Sequence, residues 1–578
     1  MATSEFHYDT LREKLKNGIP CPDDFNFPSH VLSKWAQKQP SQPALHWVSH
    51  DFKSERIVSY KELDDLIHRA AKAFYDAGIR KGDRVLIQLP RIVEWWPALY
   101  GLMRLGAVPV PGTSLLVAKD LKFRAETANA KAFIGDAESC ARFEQVATET
   151  GVSLIFQART PQDGGLGKGR KDFQAELAKV QSGTKYEAPG GYKKTDLALI
   201  FFTSGTTGVP KMVLLEAEHL LGHTISGLWY QAKPGTMIWV MADLGWAKAS
   251  YGSMGCFNMG ATYFVQPPPP GNFTPNQLVD SLNRYPISTL CAPPTIYRSL
   301  VTTSARTYLK SKPPKALRHC IGAGEPLNAS VIKDWKEMTG VQIKDGYGQS
   351  ETVIAVGNFE GIPVREGSMG KVAPFFEVSV IDHEGRELAA GEEGELAIRT
   401  DQGAGAVWLF KGYVKNGKID RRTKTHNGKT WYCTGDRAVR DSDEYFWFVG
   451  RDDDVITSSG YRIGPFEVES ALKTHPAVAE SAAVGSPDLS RGEIVKAFVI
   501  LSEEFRDKVR GNQDAEQKLI ADITAHFKKT TAPYKVPRAI EFVEDLPKTV
   551  SGKIRRVELR ELEQKRKADV LKQQRAKL

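Results

Sequence analysis

The stretch "LALIFFTSGTTGVPKMV", residues 197–213, joins an apolar run to a loop of hydroxyls and glycines. Residues 197–202 are continuously apolar, which is typical of a strand buried on both faces in an α/β sheet. Gly205 and Gly208 let backbone N–H groups converge on one anion, and Lys211 adds a positive charge. The stretch predicts a phosphate-binding loop that leaves a core sheet, although such clusters also mark ordinary turns and the Walker spacing is absent.

The organisation of the chain changes near residue 450. Before it, short apolar runs such as "RVLIQL" (84–89) alternate with amphipathic segments such as "SYKELDDLIHRAAKAFYDAG" (59–78), and this alternation predicts βαβ units with largely parallel sheets. The acidic and Ser/Gly-rich "RDDDVITSSG" (451–460) then interrupts the pattern. We expect an α/β fold with a large N-terminal domain of αβ-layered subdomains over 1–450, a hinge at 451–453, and a smaller C-terminal α/β domain over 454–578.

Composition and charge limit the class of protein. The chain has 578 residues, of which 41% are hydrophobic and 25% charged, as in ordinary soluble globular proteins. No apolar run has the length of a membrane span, so we expect no transmembrane segment. The net charge is +9, but residues 551–578 alone hold ten Lys or Arg against four Asp or Glu. A basic stretch without a nucleic-acid motif predicts a solvated helix or attraction of a polyanionic small molecule, and no nucleic-acid partner.

Cysteines and termini bear on the cellular compartment. The six cysteines are scattered without a C-x-x-C pair, which argues against a disulfide framework or a zinc site. The N-terminus lacks an apolar secretory segment, and Glu5 and Asp9 count against a mitochondrial transit peptide. The last three residues, Ala576, Lys577 and Leu578, resemble the S-K-L peroxisomal signal. We expect a peroxisomal protein, carried by an import receptor, and otherwise a cytoplasmic one.

Six motifs occur in one order along the chain. They are "TSGTTGVPK" (203–211), "GAGEPL" (322–327), "DGYGQSE" (345–351), "YCTGD" (432–436), "GRDDDVITSSGYRIGPFEVE" (450–469) and "LPKTVSGKIRR" (546–556). With them the chain resembles the acyl-adenylate-forming superfamily. "GWAKA" (245–249), "CAPPTIYR" (291–298) and "APYKVPRAIEFV" (532–543) resemble its medium-chain acyl-CoA synthetase branch. The resemblance implies an acid-thiol ligase that uses ATP and Mg²⁺ to form an acyl-AMP, and then coenzyme A to form a thioester.

The resemblance also implies roles for residues of the large domain. Tyr347 would stack on adenine, Ser350 would lie near the α-phosphate, and Glu351 would help to bind Mg²⁺, as a hard cation requires. Lys211 and its loop would hold the β- and γ-phosphates and stabilise the leaving group electrostatically. The implied ATP-binding set is Thr203, Ser204, Gly205, Thr206, Thr207, Gly208, Lys211, Asp345, Gly346, Tyr347, Gly348, Gln349, Ser350, Asp436, Arg451 and Lys553, with Lys553, Lys211 and Glu351 as the catalytic residues.

For the C-terminal part, the resemblance implies a domain that rotates between the two half-reactions. Asp436 and Arg451 would bind the ribose, Asp453 would be the hinge, and Lys553 would enter the active site for adenylation. After rotation, Arg462 would lie on the substrate side. The implied CoA-binding residues are Ser459, Gly460, Tyr461, Arg491, Lys528 and Arg538, so that the basic C-terminal stretch would meet the phosphates of coenzyme A.

The acyl pocket is inferred from one position. Acetate-activating relatives carry an indole where this chain has Gly348, so we expect an open tunnel, and each buried methylene then contributes about 0.8 kcal/mol. Trp246 would line this tunnel, or would be a core residue. The implied substrate-binding set is Trp246, Gly322, Ala323, Gly324, Gly348, Ser350 and Arg462. The acid would be a medium-chain fatty acid or an arylalkyl or aromatic acid, and the sequence leaves open which.

Other functions remain as alternatives. A luciferase-like oxygenase shares the first half-reaction, and an amino-acid-adenylating enzyme would need a carrier domain downstream, yet the chain ends 25 residues after Lys553. A non-catalytic acyl- or nucleotide-binding protein would be expected to lack Lys553, Glu351 or Asp436, and all three are present. His219 lies later than the histidine of many relatives, and we interpret it as a buried or capping residue.

Overall fold

The computed structural model describes residues 4–160, 163–203, 210–270, 273–324, 327, 329–401, 408–415, 417–459, 461–488, 491–549 and 553–575. Within these ranges the side chains of residues 303, 304, 415, 462 and 568–575 are not described. The chain forms two compact units. The first contains the described residues of 1–205, 209–378 and 398–432, and the second contains those of 379–397 and 433–578.

The helices are α1 (Tyr8–Leu15), α2 (Ser33–Lys38), α3 (Tyr60–Asp76), α4 (Trp95–Leu105), α5 (Ala118–Ala128), α6 (Ala137–Thr150), α7 (Phe173–Lys179), α8 (Ala217–Gly222), α9 (Thr224–Trp229), α10 (Ala247–Asn258), α11 (Pro275–Arg284), α12 (Pro294–Leu300), α13 (Thr303–Ser311), α14 (Ala329–Thr339), α15 (Pro465–Lys473), α16 (Glu503–Val509), α17 (Gln513–Thr530) and α18 (Arg556–Arg575). A π-helical turn covers Pro28–Leu32 and a 3₁₀ turn covers Pro533–Lys535.

The strands are β1 (Pro43–Val48), β2 (Glu55–Ser59), β3 (Arg84–Gln88), β4 (Val108–Pro111), β5 (Ala130–Gly135), β6 (Leu154–Gln157), β7 (Lys171–Asp172), β8 (Leu197–Thr203), β9 (Lys211–Glu216), β10 (Met237–Val240), β11 (Thr262–Val265), β12 (Thr289–Ala292), β13 (His319–Ala323), β14 (Ile343–Tyr347), β15 (Val356–Gly357), β16 (Ser368–Val372), β17 (Val378–Ile381), β18 (Glu393–Arg399), β19 (Gly412–Lys415), β20 (Lys418–Asp420), β21 (Thr423–His426), β22 (Lys429–Arg440), β23 (Phe446–Arg451), β24 (Ile456–Ser458), β25 (Tyr461–Ile463), β26 (Val478–Asp488), β27 (Gly492–Leu501) and β28 (Ala539–Phe542).

Two sheets of the first unit have parallel cores. One has the order β2-β1-β11-β10-β12-β13-β14-β15-β16, and its strands from β1 to β14 in that order pair in parallel. The other, β4-β3-β5-β6-β7, is entirely parallel. Parallel neighbours need crossover connections, and α4, between β3 and β4, and α6, between β5 and β6, supply two of them. The alternating pattern of the sequence therefore predicted the α/β class correctly.

Helix α3, between β2 and β3, illustrates how the local sequence produces a buried helix. The hydroxyl of Ser59 caps the helix by accepting a hydrogen bond from the N–H of Glu62. Leu63, Ile67 and Phe74 recur at helical spacing and are fully buried. Two polar residues of the helix are buried as well, so its buried face is mainly but not purely apolar.

The apolar run 197–202 forms β8, and Leu199, Ile200, Phe201 and Phe202 are buried as predicted. Its sheet differs from the expected one, because β8 pairs with β9 in an antiparallel hairpin and the sheet order is β20-β19-β9-β8. The run after the loop, "KMVLLE", is itself apolar and folds back on β8. The predicted loop thus leaves a hairpin rather than a parallel core sheet.

The second unit has two sheets. Strands β17, β18, β22 and β23 are neighbours in one of them. The other has the order β25-β24-β27-β26, with β28 parallel to β27, and α15 and α17 pack their buried Val468, Ile523 and Phe527 against it. The unit includes residues 379–397 and 433–450, which the sequence assigned to the large domain, and the hinge at 451–453 stays a prediction. Among the described residues, no helix is both long and apolar enough to span a bilayer.

Candidate active site

The β8–β9 hairpin carries the first predicted motif. Thr203 at the end of β8 is the cross-strand partner of Lys211 at the start of β9, so both flank the predicted phosphate loop. The loop residues Ser204, Gly205, Thr206, Thr207 and Gly208 lie outside the described residues. Phosphate binding by this loop therefore stays a prediction, with its two ends placed side by side.

The second and third motifs meet at one edge of the large sheet. In the parallel pair β13–β14, Gly322 is opposite Asp345 and Ala323 is opposite Gly346. Both strands end at this edge, which is where open α/β sheets bind ligands. Gly324 follows β13 with φ of 102° and open space around its Cα, a conformation that favours glycine. The structure thus brings together residues that are more than twenty positions apart in sequence.

Two glycines of "DGYGQSE" are required by packing. A Cβ on Gly346 would lie 2.5 Å from the buried ring of Trp229. A Cβ on Gly348 would lie 2.7 Å from the carbonyl oxygen of Val353, which is backbone and cannot rotate away. Glycine at 348 therefore has a structural reason independent of the acyl pocket, and its role in leaving the pocket open stays a prediction.

The turn after β14 is held by hydrogen bonds from several sides. The N–H of Gln349 donates to Oγ1 of Thr352 at 2.9 Å. The hydroxyl of Tyr251, on α10, donates to the carbonyl oxygen of Ser350 at 2.6 Å, and that of Tyr432 donates to Oε1 of Gln349 at 2.8 Å. These contacts fix the backbone of 349–350, from which the side chains of the motif project.

Glu351 is a buried carboxylate with identifiable partners. Its carbonyl oxygen accepts from the N–H of Phe410 at 2.8 Å, and its Oε1 accepts from the hydroxyl of Tyr413. Burial and the charge of Glu351 raise the pKa of Tyr413, so this hydroxyl keeps its proton and donates. The ammonium of Lys211 lies 5.6 Å from the centroid of the Tyr413 ring. Lys211 and Glu351, two predicted catalytic residues, thus share one tyrosine.

This carboxylate fits the ion that the motif implies. Magnesium in nucleotide sites is usually held by one or two carboxylates together with phosphate oxygens and water. Within the described ranges there is no group of three or more His, Cys, Asp or Glu that could hold a metal by itself. Glu351 would therefore bind magnesium together with a nucleotide rather than as part of a protein cage.

Asp345 differs from the other carboxylates in its ionisation. Burial raises its pKa to about 7, against hydrogen bonds from the N–H groups of Gly346 and Leu327 and the charge of Lys248. Nζ of Lys248 donates to the carbonyl oxygen of Ala323 at 2.8 Å. Lys248 belongs to "GWAKA", so this bond joins that motif to the end of β13.

Trp246 and His219 differ in their surroundings. Trp246 precedes α10 and is half-buried, and the preceding Gly245 has no room for a side chain against the backbone of Gly112. His219 is fully buried, as interpreted from the sequence, with its ring centroid 5.8 Å from that of Tyr251. Burial lowers the pKa of His219 to about 4, so it is neutral at physiological pH.

In the second unit, Asp436 and Arg451 face each other across β22 and β23. Nη1 of Arg451 donates to Oδ1 of Asp436 at 2.9 Å, and Asp436 is buried. Nε of Arg451 lies 3.8 Å from Oδ1 of Asp453, the predicted hinge residue. The structure brings these three predicted residues together, and the pairing orients a carboxylate that the sequence assigned to the ribose.

Three of the predicted CoA-binding residues, Ser459, Tyr461 and Arg491, lie at or beside β24, β25 and β27 of the second unit. Two hydrogen bonds join Arg491 and Ser459. The N–H of Ser459 donates to the carbonyl oxygen of Arg491 at 2.9 Å, and Nη1 of Arg491 donates to Oγ of Ser459 at 3.1 Å. The exposed ring of Tyr461 stacks on Tyr534 at 4.6 Å and 17°. Gly460 lies outside the described residues, as does the side chain of Arg462.

Lys553 lies on a short hairpin and is exposed. The N–H of Thr549 donates to the Lys553 carbonyl oxygen at 2.7 Å, and the Lys553 N–H donates to Oγ1 of Thr549 at 3.1 Å. Lys528 and Arg538 are also exposed, on α17 and before β28. These hydrogen bonds fix the backbone of Lys553, and its side chain is exposed.

Three tyrosines that hold the turn, Tyr251, Tyr413 and Tyr432, were missed by the sequence reasoning. They lie far from the turn in sequence, and no spacing rule points to them. One signal was available, since Tyr413 belongs to an aromatic-rich stretch, "WLFKGY" (408–413). Such a stretch beside predicted strands indicates packing, but not what the hydroxyl contacts.

Comparison with known proteins covers nearly the whole chain. The AMP-binding enzyme family model matches residues 32–414, and the AMP-binding enzyme C-terminal domain model matches residues 467–553. Human acyl-coenzyme A synthetase ACSM3, mitochondrial, is 40% identical over 569 residues, which is 97% of this chain and 93% of that protein. Human acyl-coenzyme A synthetase ACSM4, mitochondrial, is 42% identical over 554 residues, or 94% and 91%. The anthranilate CoA ligase AuaEII, solved with anthranoyl-AMP, matches with a TM-score of 0.81 at 28% identity over 95% of this chain and 99% of that one.

These relatives correct one expectation. The prediction of a peroxisomal location, with an import receptor as partner, is wrong, because relatives matched over nearly their full length are named as mitochondrial proteins. The terminal Ala576, Lys577 and Leu578 lie outside the described residues. The resemblance of three residues to a signal carries little information compared with an alignment of more than 500 residues at 40–42% identity.

Proposed function

Because the chain belongs to the AMP-binding enzymes and, within them, to the acyl-coenzyme A synthetases, we propose that it joins medium-chain fatty acids or aromatic acids to coenzyme A. The reaction class follows from the family: ATP activates the acid as an acyl-AMP, and the thiol of coenzyme A then displaces AMP. The predicted superfamily, fold class and ligase activity are confirmed. Which acid is used stays a prediction.

The observation that carries the residue assignments is the arrangement around Tyr413. The hydroxyl of Tyr413 donates a hydrogen bond to the buried carboxylate of Glu351. The ring of the same tyrosine lies 5.6 Å from the ammonium group of Lys211. A carboxylate that can bind magnesium next to a cation suits a polyphosphate, whose charge increases on the leaving group as the P–O bond breaks. Magnesium bound by Glu351 would supply further positive charge to that leaving group.

In the first half-reaction, Lys211 and the hydroxyls from Thr203 onward bind the phosphates of ATP. Tyr347 stacks on adenine at the edge where β13 and β14 end, and Ser350 lies near the α-phosphate. Lys553 bridges the substrate carboxylate and phosphate oxygens, which pre-organises the attack. The mutual register of β13 and β14 supports placing the adenine there.

In the second half-reaction, the surface of the second unit that carries Tyr461 and Arg491 binds coenzyme A. The hydrogen bonds between Arg491 and Ser459 support this role, since they hold a guanidinium close to Ser459. The exposed cations Lys528 and Arg538 suit the phosphates of coenzyme A. Arg462 would contact the acyl substrate.

The class of acid is supported from two directions. Glycine at 348 carries no side chain that could shorten an acyl pocket, and an apolar pocket gains on the order of 0.8 kcal/mol for each buried methylene. The solved relative AuaEII is named as an anthranilate CoA ligase, so the fold accommodates an aromatic acid in that protein. We propose that acids of six to eight carbons, or aromatic and arylalkyl acids, outcompete acetate, and that the enzyme acts in mitochondria, where its relatives are named.

The test is a panel of acids from acetate to decanoate with benzoate, anthranilate and phenylacetate, each incubated with ATP, Mg²⁺ and coenzyme A. AMP and thioester should appear in equal amounts, with kcat/KM rising from acetate to the preferred acid by orders of magnitude. Light emission without thioester would favour the luciferase-like alternative. Acetate as the best substrate would contradict the proposed pocket, and absence of AMP with every acid would contradict the assigned catalytic residues.

A further inference from the structure

The segment at 408–413 holds Glu351 at two points. The N–H of Phe410 donates to the carbonyl oxygen of Glu351 at 2.8 Å, and the hydroxyl of Tyr413 donates to Oε1 of the Glu351 carboxylate. The first contact fixes the backbone of Glu351, and the second fixes the rotation of its side chain. Oε1 of Glu351 therefore accepts a hydrogen bond from the protein, and this bond also sets the direction of Oε2.

Tyr413 is itself rigidly placed. It lies on β19, opposite Val213 of β9, and its ring packs on that of Phe410 at 4.8 Å and 67°. The preceding Gly412 has φ of 148°, and a Cβ there would lie 3.0 Å from the carbonyl oxygen of Asp420. Few other residues could adopt this backbone, so the glycine determines the direction in which Tyr413 leaves the strand.

The same tyrosine is connected to Lys211. Its ring lies 5.6 Å from Nζ of Lys211, within the range of a cation–π contact. Lys211 begins β9, the strand that pairs with β19. Movement of β19 would therefore alter Lys211 and Glu351 together.

We propose that Tyr413 is a positioning residue for adenylation: its hydroxyl holds one oxygen of the Glu351 carboxylate so that the other is presented to magnesium bound with ATP. The proposal rests on the proposed role of Glu351. Groups that orient the side chains of metal ligands are typically worth about 10- to 100-fold in metal affinity or activity. Phenylalanine at 413 keeps the ring, the packing on Phe410 and the contact with Lys211. It removes the hydroxyl, which bonds Glu351 and also contacts Tyr432.

The experiment compares Tyr413→Phe with the wild-type enzyme by calorimetric binding of ATP, in excess Mg²⁺ and in EDTA, without the acid substrate. We expect Kd to rise roughly 10-fold in Mg²⁺ and to stay unchanged in EDTA. Thioester formation from supplied acyl-AMP should be unaffected. Tyr251→Phe is the matched control, because it also removes a hydroxyl that holds this turn, through the carbonyl oxygen of Ser350, and its effect on ATP binding should not depend on Mg²⁺.

The same measurement in the Glu351→Gln variant separates the positioning role of Tyr413 from the proposed role of Glu351. In Glu351→Gln the magnesium-dependent part of ATP binding should already be lost, and adding Tyr413→Phe should change it less than twofold, because the two residues act through one contact. An equal effect of Tyr413→Phe in both backgrounds, or an effect that persists in EDTA, would assign Tyr413 to general packing. If Glu351→Gln alone leaves the Mg²⁺ dependence intact, the proposed role of Glu351 fails, and the positioning role fails with it.

Discussion

Two groups of predicted site residues, one in each unit, differ in their exposure. In the first unit the turn at 348–351 is embedded, with Glu351 only 6% exposed and fixed by the tyrosine and backbone donors described above. In the second unit Tyr461 is 54% exposed and Lys553 extends from a hairpin. Rigid, buried groups suit a site that must be pre-organised, whereas exposed groups bind only when a partner surface or ligand reaches them. The comparison therefore separates an embedded half of the predicted site, around Glu351, from an exposed half, which contains Lys553 and Tyr461.

Lys553→Ala should have the largest effect. Losing one positive charge from the transition state should reduce acyl-AMP formation by roughly 10²–10³ and leave thioester formation from supplied acyl-AMP near the wild-type rate. Pyrophosphate release and thioester formation are measured separately. Lys548→Ala is the matched control, since Lys548 lies on the same hairpin and is paired with Glu480 at 2.7 Å. Equal damage to both half-reactions by Lys553→Ala would mean that this exposed lysine is not specific to adenylation.

The sequence predicted the elements of the embedded half better than their arrangement. The apolar runs identified β8 and the glycines identified turns, because these depend on local period and backbone freedom. The contacts of Tyr251, Tyr413 and Tyr432 were not predictable, because they join residues between 60 and 100 positions apart through packing. The antiparallel return of β9 was missed because an apolar run does not show the direction in which a strand pairs. For the exposed half, Lys553 was assigned only through resemblance, since an exposed lysine leaves no mark of its role in composition or spacing.

An intermediate effect, on the free energy of unfolding, is expected from the ionisation of Asp345 in the embedded half. The pKa of Asp345 is about 7 in the folded state against an ordinary value of 3.8, so between these pH values the folded protein keeps a proton that the unfolded chain has released. Its contribution to stability is therefore complete below about pH 4 and is lost as pH rises through about 7.

Asp345→Asn cannot ionise, and it tests this contribution directly. The free energy of unfolding of the variant relative to wild type should rise between pH 4 and pH 8, by an amount on the order of a few kcal/mol. Urea unfolding at several pH values measures it, and every other titrating group cancels in the difference. A constant difference across this range would show that the carboxyl is less buried than its packing against Gly346 and Leu327 indicates.

The smallest effect is expected for the exposed half. Tyr461 stacks on Tyr534 with their centroids 4.6 Å apart, and aromatic pairs contribute about 0.5–1.5 kcal/mol, so Tyr461→Ala should raise the KM for coenzyme A roughly 2- to 10-fold. The KM for ATP in acyl-AMP formation should stay unchanged, because we propose that this pair serves the thioester step. Tyr461→Phe keeps the stack and should restore most of the affinity. A change in the KM for ATP of the same size would contradict the division of labour between the embedded and the exposed groups, since the exposed ring would then serve both half-reactions.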